Sequence, residues 1–341
     1  MCANTLAYSV YAFSTLGFLA QLDAPPSWWA KLEAEAMQSL YPGPYRWAPP
    51  AAVHGLPLLG FPASVPDLHA VSLAAKYRVC QWEAASEGGL RVAERAARLR
   101  HVRLYATQSL ERLGTWAPWY KQAFLLQLDA ARQHFEGRGL TPARIALETR
   151  AGNAGRIRRL WQRACVRLIA PDRSLELRAF LRVRLSRWAC GLPEDVMLDR
   201  VMSAFPAVAR LCPPRALAAC IRTLWNGWAT GRRFQRRASC FFGCTAGDDS
   251  IEHYADCPHV SAAVYRELGL ARLDAPELRL AGFMLMAPPC SEATAPELRR
   301  RALATCGVYL THCWARHAAS SGALACRSAL RLKLRELAGG S

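Results

Sequence analysis

A chain of 341 residues is long enough for about two domains. Its 52% hydrophobic and 21% charged content, with 22 Gly and 21 Pro, excludes disorder over most of its length and excludes a fibrous or low-complexity class. Forty-four Lys and Arg oppose 26 Asp and Glu for a net charge of +18, with lysine only at Lys31, Lys76, Lys121 and Lys333. An excess carried by guanidinium groups suits a polyanion, because the planar fork binds phosphate bidentately and releases condensed counterions. A compositional leaning toward Arg and Ala produces the same numbers.

The segment from Ala7 to Leu22 is apolar, and the first charged residue is Asp23. It approaches the shortest membrane span, roughly 17 residues. Ser9, Ser14, Thr15 and Gln21 weaken it and no basic flank orients it, so a buried helix is expected, without stable membrane insertion. After Pro25 and Pro26, Ser27 caps a helix carrying Trp28, Trp29, Leu32, Ala36, Met37 and Leu40 that ends before Tyr41-Pro42-Gly43-Pro44. Prolines 49, 50, 57, 62 and 66 then forbid a long helix and predict an irregular connector packed on its Leu and Phe residues.

Helical spacing dominates from Asp67 onward. Leu68, Val71, Leu73 and Ala75 open one helix; Val92, Ala96, Leu99, Val102 and Leu104 mark another between Gly89 and Leu110; Phe124, Leu128 and Ala131 mark a third between Trp116 and Phe135. Period-two alternation is scarce. The expected class is mainly α: a helical bundle-like domain, then a small zinc-knuckle module and a helical tail. The expected division is a helical region 1–135, an Arg-rich helical region 136–230, the knuckle 231–262 and the tail 263–341, with tail helices around Glu297 to Trp314 and Leu324 to Leu337.

Between Thr141 and Cys190, twelve arginines face only Glu148, Asp172 and Glu176, which is nine of the eighteen excess charges. Arg156, Arg159, Arg163 and Arg167 recur at steps of three and four and share one helical face, while Leu160, Ala164 and Leu168 share another. Arg178, Arg182, Arg184 and Arg187 stand beside Leu177, Leu181 and Leu185 in a similar way. Like charges on one face repel by a few tenths of a kcal/mol per pair, so either an anion or a solvated surface is expected there.

Cys240, Cys244, His253 and Cys257 carry the chemistry, with three, eight and three residues between successive members. Two short pairs joined by a longer loop can supply four tetrahedral donors at about 2.0–2.3 Å from a Zn²⁺ ion. Gly243 and Gly247 allow tight turns, and a helix from Ile251, capped by Asp249 or Ser250, is expected to present His253 and Cys257 on one face. Four protein ligands leave no open position, so such a site is structural. His259 is a substitute ligand. The other ten of the 13 cysteines show no such grouping with a histidine, and an odd count without a basic leader points to an intracellular, reducing compartment rather than a disulfide framework.

Upstream of the knuckle lie Trp225, Trp228 and Phe234 interleaved with Arg232, Arg233, Arg236 and Arg237. Aromatic faces beside guanidinium groups form a surface for unpaired bases and phosphates. Trp225 and Trp228 serve equally as core anchors of the knuckle.

The Cys240, Cys244, His253, Cys257 arrangement, with its lead-in NGWATGRRFQ, resembles the cysteine-histidine motif near the C-terminus of non-LTR (LINE-type) retrotransposon reverse transcriptases. The stretch from Tyr8 to Trp47 is similar to the region just after the polymerase palm in those proteins. The resemblance implies that residues 1–135 are thumb-like, that RNA or DNA is the partner, and that the palm domain is a further partner. It implies a nuclear or ribonucleoprotein location. Polymerases of this family use adjacent aspartates on a strand hairpin to hold two metal ions. Asp248-Asp249 and Asp256 lie within the knuckle without strand-like flanks, so no catalytic residue is assigned and no polymerase activity is expected of the chain alone. No nucleophile elbow, P-loop or dinucleotide fingerprint is present. The expected function is nucleic-acid binding as the non-catalytic part of a reverse transcriptase. The alternatives are a helical protein-interaction scaffold with a structural zinc site, and an accessory part of a polymerase whose palm lies upstream or on another chain.

Overall fold

A computed structural model describes residues 7–44, 47–61, 65–85, 96–97, 119–141, 161–166, 168, 173–245, 247–287, 295–318 and 322–339. The mainly α class is borne out. Helices dominate, and among the described residues no strand forms; one isolated antiparallel bridge joins Ser239 and Asp248. The expected helix between Gly89 and Leu110 falls almost wholly outside the described residues, as do Arg156, Arg159 and Arg167.

The chain divides into two compact units, each discontinuous in sequence: Ala7–Lys31 with Val65–Pro171, and Leu32–Ser64 with Asp172–Ser341.

In the first unit a π-helical turn, Tyr8–Ala12, runs into α1 (Phe13–Leu22). Ala20 is buried against Trp29 and Leu68 with Phe13 and Leu16 packed beside them, whereas Tyr11, Phe18, Leu19 and Leu22 are exposed. The apolar opening forms a helix that is buried on one side and exposed on the other, which corrects the expectation of a buried helix. Asp67 Oδ1 accepts the Ala70 N–H at 3.0 Å at the start of α4 (Leu68–Ala85). Small residues Ala70, Ala74 and Ala131 let α4 pack closely on α5 (Trp119–Glu136), and Tyr77 stacks on Phe135 with ring centroids 4.0 Å apart. Trp161, Ala164 and Cys165 close this core.

The helix α2 (Trp29–Leu40), which belongs to the second unit from Leu32 onward, leads into the proline-rich connector, which holds a short α3 (Pro50–His54) and a 3₁₀ turn, Leu56–Leu59. The connector is core: Trp47, Ala52, Val53, Leu56, Leu59 and Phe61 are buried. Trp47 Nε1 donates to Tyr41 O at 2.7 Å, so the indole is satisfied while its rings fill space against Trp225. Leu177, Leu181 and Leu185 of α6 (Arg173–Leu185) are buried, and α6 packs on α3 and on α7 (Glu194–Leu211).

The long α12 (Ala295–His317) lies along α8 (Pro214–Leu224) and α13 (Ala323–Gly339), its middle from Ala302 to Val308 buried. A Cβ at Gly307 would fall 2.5 Å from Leu334, so the closeness of α12 to α13 depends on that glycine. Both predicted tail helices are present. Between α8 and α12 come a 3₁₀ turn (Arg232–Phe234), α9 (Ile251–Asp256), α10 (Pro258–Leu268) and α11 (Pro276–Phe283), and they position the candidate site.

Candidate metal centre and its basic surroundings

Residues 238–240 and 247–249 run antiparallel: Asp249 N–H donates to Ala238 O at 2.8 Å and Cys240 N–H to Gly247 O at 3.3 Å. The loop between them turns tightly, with Gly243 at φ +75° and its N–H on Cys240 O at 3.0 Å. Ser250 caps α9, its hydroxyl accepting the His253 N–H at 3.1 Å. His253 thereby stands in the first turn of α9. Cys257 lies between α9 and α10 in an extended conformation (φ −61°, ψ 124°). Pro258 imposes this, because its ring clashes with a helical preceding residue. Thus His253 and Cys257 meet across a break, not on one continuous helical face as expected.

Donor atoms of Cys240, His253 and Cys257 all lie within 4.8 Å of one another, a group that could hold a metal ion. The Cys240 and Cys257 sulfurs are 3.9 Å apart. Two corners of a tetrahedron with metal–sulfur bonds of about 2.3 Å stand about 3.8 Å apart. The same separation is far beyond the roughly 2.05 Å of a disulfide. His253 Nε2 is buried with no hydrogen-bond partner among the described residues, and the imidazole faces the Cys240 sulfur. The donor set and its spacing fit a thiophilic cation. A hydrogen bond from Cys257, with backbone N–H groups of Cys244 and Phe242 working against burial, draws the Cys240 thiol well below its ordinary value, while the Cys257 thiol is pushed up by sharing its proton. Gly247 is obligatory: a Cβ there would stand 1.9 Å from His253 Nδ1.

Of the four predicted ligands, three come together. Cys244 is buried in the turn and its backbone faces the Cys240 sulfur, but its own sulfur is not in the group, nor is His259.

A second polar cluster, which the sequence did not disclose, lies on the other side of α9. Asp249 Oδ1 accepts from Tyr254 Oη at 2.6 Å and meets His312 Nε2 at 3.1 Å, and Asp249 Oδ2 accepts the Gly231 N–H at 2.7 Å. Burial opposes the carboxylate charge, and the bonds from His312 and Tyr254 overcome it, holding Asp249 below the usual range. Burial likewise opposes charge on His312, and the bond to Asp249 overcomes it, so its pKa is raised.

The basic lead-in separates into core and surface. Trp225 and Trp228 are 0% and 1% exposed, and Trp228 Nε1 bonds Thr223 Oγ1 at 3.0 Å. Both are anchors, which withdraws them from the base-stacking surface. Phe234 is 47% exposed, with the Arg316 guanidinium 5.9 Å from its ring. Arg236 and Arg237 are exposed and, with Phe234, Phe241 and Arg316, line a cavity of about 460 Å³. Arg232 pairs with Glu252 at 2.8 Å, and Arg233 donates to Asn226 O. In the Arg-rich block, Arg163 is exposed, while Arg178 and Arg182 pair with Asp199 and Asp195 at 3.2 and 2.9 Å. Sequence periodicity saw their common face and missed the carboxylates that α7 presents to it.

No helix among the described residues is long and apolar enough to cross a membrane. Comparison with protein-family models, with curated proteins and with solved structures finds no match.

Proposed function

We propose that this chain binds nucleic acid, RNA in the first instance, as the thumb-and-knuckle part of a non-LTR reverse transcriptase. The observation that carries the reading is the placement of exposed Phe234, Arg236 and Arg237, from the segment leading into Cys240, and of Arg316, from the end of α12, around one open cavity. A ring for stacking and three guanidinium groups for phosphates suit an unpaired strand, without base-specific readout. The metal in this reading is Zn²⁺, with Cys244 as the fourth donor to Cys240, His253 and Cys257. Its role is to fold the 231–260 segment and hold the basic loop in place; no reaction is assigned to it.

Electrophoretic mobility of labelled single-stranded RNA tests the binding. Affinity falls at least tenfold between about 50 and 200 mM salt if phosphates supply it; an unchanged affinity, or no shift at all, removes the reading. Elemental analysis of the reduced protein gives one zinc per chain, and chelation exposes residues 232–260 to protease. Equal resistance with and without chelator removes the structural role.

A second reading, an interaction scaffold or an accessory to a polymerase palm on another chain, is favoured by the exposed Tyr11, Phe18, Leu19, Leu22 and Trp28. A chain that leaves RNA unshifted yet co-sediments with a palm domain decides for it.

A further inference from the structure

We propose that Cys313 is a nucleophilic thiol, activated by His312 and Arg222, that undergoes exchange with small-molecule disulfides. The inference needs neither a bound metal nor a bound strand, so it stands or falls separately from both.

Exposure singles the residue out. Among the described residues eleven cysteines carry free thiols and ten of them are buried, whereas Cys313, near the end of α12, is part-exposed. Cys306, two turns earlier on the same helix, is 0% exposed and lies against the Arg215 carbonyl, and burial pushes its thiol up to about 12. A thiol so placed is inert.

The surroundings of Cys313 act in the opposite direction. Its thiol is hydrogen-bonded to the His312 imidazole, whose Nε2 stands 3.1 Å from Asp249 Oδ1. Tyr254 Oη and the Gly231 N–H hold that carboxylate in turn. A thiol beside an imidazole that a third group orients is the arrangement by which nucleophilic cysteines are activated. A second set of groups arrives from α8. The Arg222 guanidinium donates to Tyr309 Oη at 3.0 Å, and the Tyr309 hydroxyl, one turn before Cys313, is hydrogen-bonded to its sulfur. Arg222 lies over Trp47, 4.6 Å from the ring centroid, and no carboxylate among the described residues pairs with it.

Burial opposes charge on Cys313. The bonds from His312 and Tyr309, with the positive charges of His312 and Arg222, outweigh it and hold the thiol below its ordinary value. Burial also opposes charge on His312, and the bonds to Asp249 and Cys313 outweigh that, so imidazolium and thiolate support each other. The titratable and charged groups around Cys313 are therefore His312, Tyr309 and Arg222, two of them cationic.

An accessible thiolate is the form that attacks disulfides. The Cys313 sulfur bonds to one sulfur of the small molecule, the S–S bond of that molecule breaks, and its second sulfur leaves as a thiolate that takes a proton from water. The product is a mixed disulfide on α12, and a free thiol reverses it. The small disulfide supplies the oxidising equivalents, and no other oxidant takes part.

Reaction of the full chain with 4,4′-dithiodipyridine tests the site, followed by release of the thiopyridone and with peptide mass spectrometry to place the adduct. At about pH 6 the first thiol to react is Cys313, at least about threefold faster than glutathione measured in parallel, because more of it is thiolate there. Its pH–rate profile has a midpoint below that of glutathione, and Cys313→Ser removes this phase. Tyr309→Phe removes one hydrogen bond and no charge; it keeps the phase and moves the midpoint upward. Asp249→Asn withdraws the charge that holds His312 and moves the midpoint further, and Tyr309→Phe alone decides where the far-ultraviolet signal shows that Asp249→Asn has not folded. Glutathione disulfide then adds one glutathionyl group per chain, at Cys313, and dithiothreitol removes it. A thiol that is merely exposed keeps the midpoint of glutathione in every variant. The proposal is overturned by a first adduct on another cysteine, by a midpoint at or above that of glutathione, by a midpoint that Tyr309→Phe leaves in place, or by a chain that glutathione disulfide leaves unmodified.

Discussion

Two buried polar clusters flank α9, and they differ in whether the protein satisfies them. Around Asp249, every group has a partner: His312, Tyr254 and the Gly231 N–H converge on one carboxylate. Around Cys240 and Cys257, the two sulfurs stand 3.9 Å apart and the nearby imidazole leaves Nε2 without a hydrogen-bond partner among the described residues. A buried polar group without a partner costs about 1–3 kcal/mol, a cost that a ligand shared by two thiols and an imidazole would offset. The Asp249 cluster reads as internal scaffolding, and the cysteine-histidine cluster as a place for a ligand.

The largest test of that contrast is to remove a sulfur. Apparent zinc affinities of small folding modules are on the order of 10 kcal/mol, and a segment with so little regular structure of its own has no comparable source of stability. Cys257→Ser is expected to release the metal and expose residues 232–260 to protease, while the helices α8, α12 and α13 keep their far-ultraviolet signal. Gly247→Ala reaches the same end through sterics, because the added methyl would overlap the His253 ring. A Gly247→Ala chain that retains stoichiometric metal would show that His253 is not a ligand.

Breaking the self-satisfied cluster is expected to cost less and to be independent of metal. Asp249→Asn keeps the shape and removes the charge that His312 and Tyr254 address. Losing one member of a buried pair costs about 3–5 kcal/mol, and the amide retains part of the bonding, so a loss near about 3 kcal/mol is expected in urea denaturation. The loss should be the same with and without chelator. Dependence on chelator would mean that the two clusters act as one.

Lys76, in the other unit, is an intermediate case: its ammonium donates to Ala20 O at 3.1 Å and Ser72 Oγ at 2.6 Å, yet it is only 2% exposed. Burial lowers its pKa from 10.5 to about 8, with Asp23 opposing. Between those values the unfolded chain holds a proton that the folded chain does not, so stability rises with pH across that window and the full penalty stands below about pH 8. Lys76→Met is therefore expected to raise stability by about 1–2 kcal/mol at pH 7, with the gain shrinking toward pH 10. A gain that does not change with pH would assign the effect to packing alone.

What the sequence disclosed follows from the range of the interactions involved. Helical periodicity is local, so α4, α5, α12 and α13 were legible. The cysteine-histidine spacing is also local, and three of its four members meet as their intervals suggested. The proline-rich connector was legible as irregular and as packed on its Leu and Phe residues, but the burial of Trp47 was not, because it depends on Tyr41, Trp225 and Gly227, the last two about 180 residues away. For the same reason the sequence left Trp225 and Trp228 open between core anchor and stacking surface, and folding decides it by sending both inward and leaving Phe234 outside. Nothing in the spacing links His312 to Asp249.

The smallest expected effect belongs to the residue between the two clusters. Ser250 accepts the His253 N–H at 3.1 Å and donates to Asp248 Oδ1 at 2.9 Å. It closes the N-terminus of a six-residue helix that has His253 in its first turn and Tyr254 just behind it. Removing an N-cap costs about 1 kcal/mol, and so short a helix has no later turns over which to spread the loss. Ser250→Ala is expected to lower the denaturation midpoint by that amount in metal-loaded protein, and Ser250→Asp to restore it, since a carboxylate caps equally well and favours the helix dipole. If a metal bound at this group holds His253 from its side chain while the cap holds it from the backbone, chelated protein should lose more from Ser250→Ala than loaded protein does. Equal losses in the two forms would mean that the ligand set takes its geometry from the fold and contributes nothing to the placement of α9.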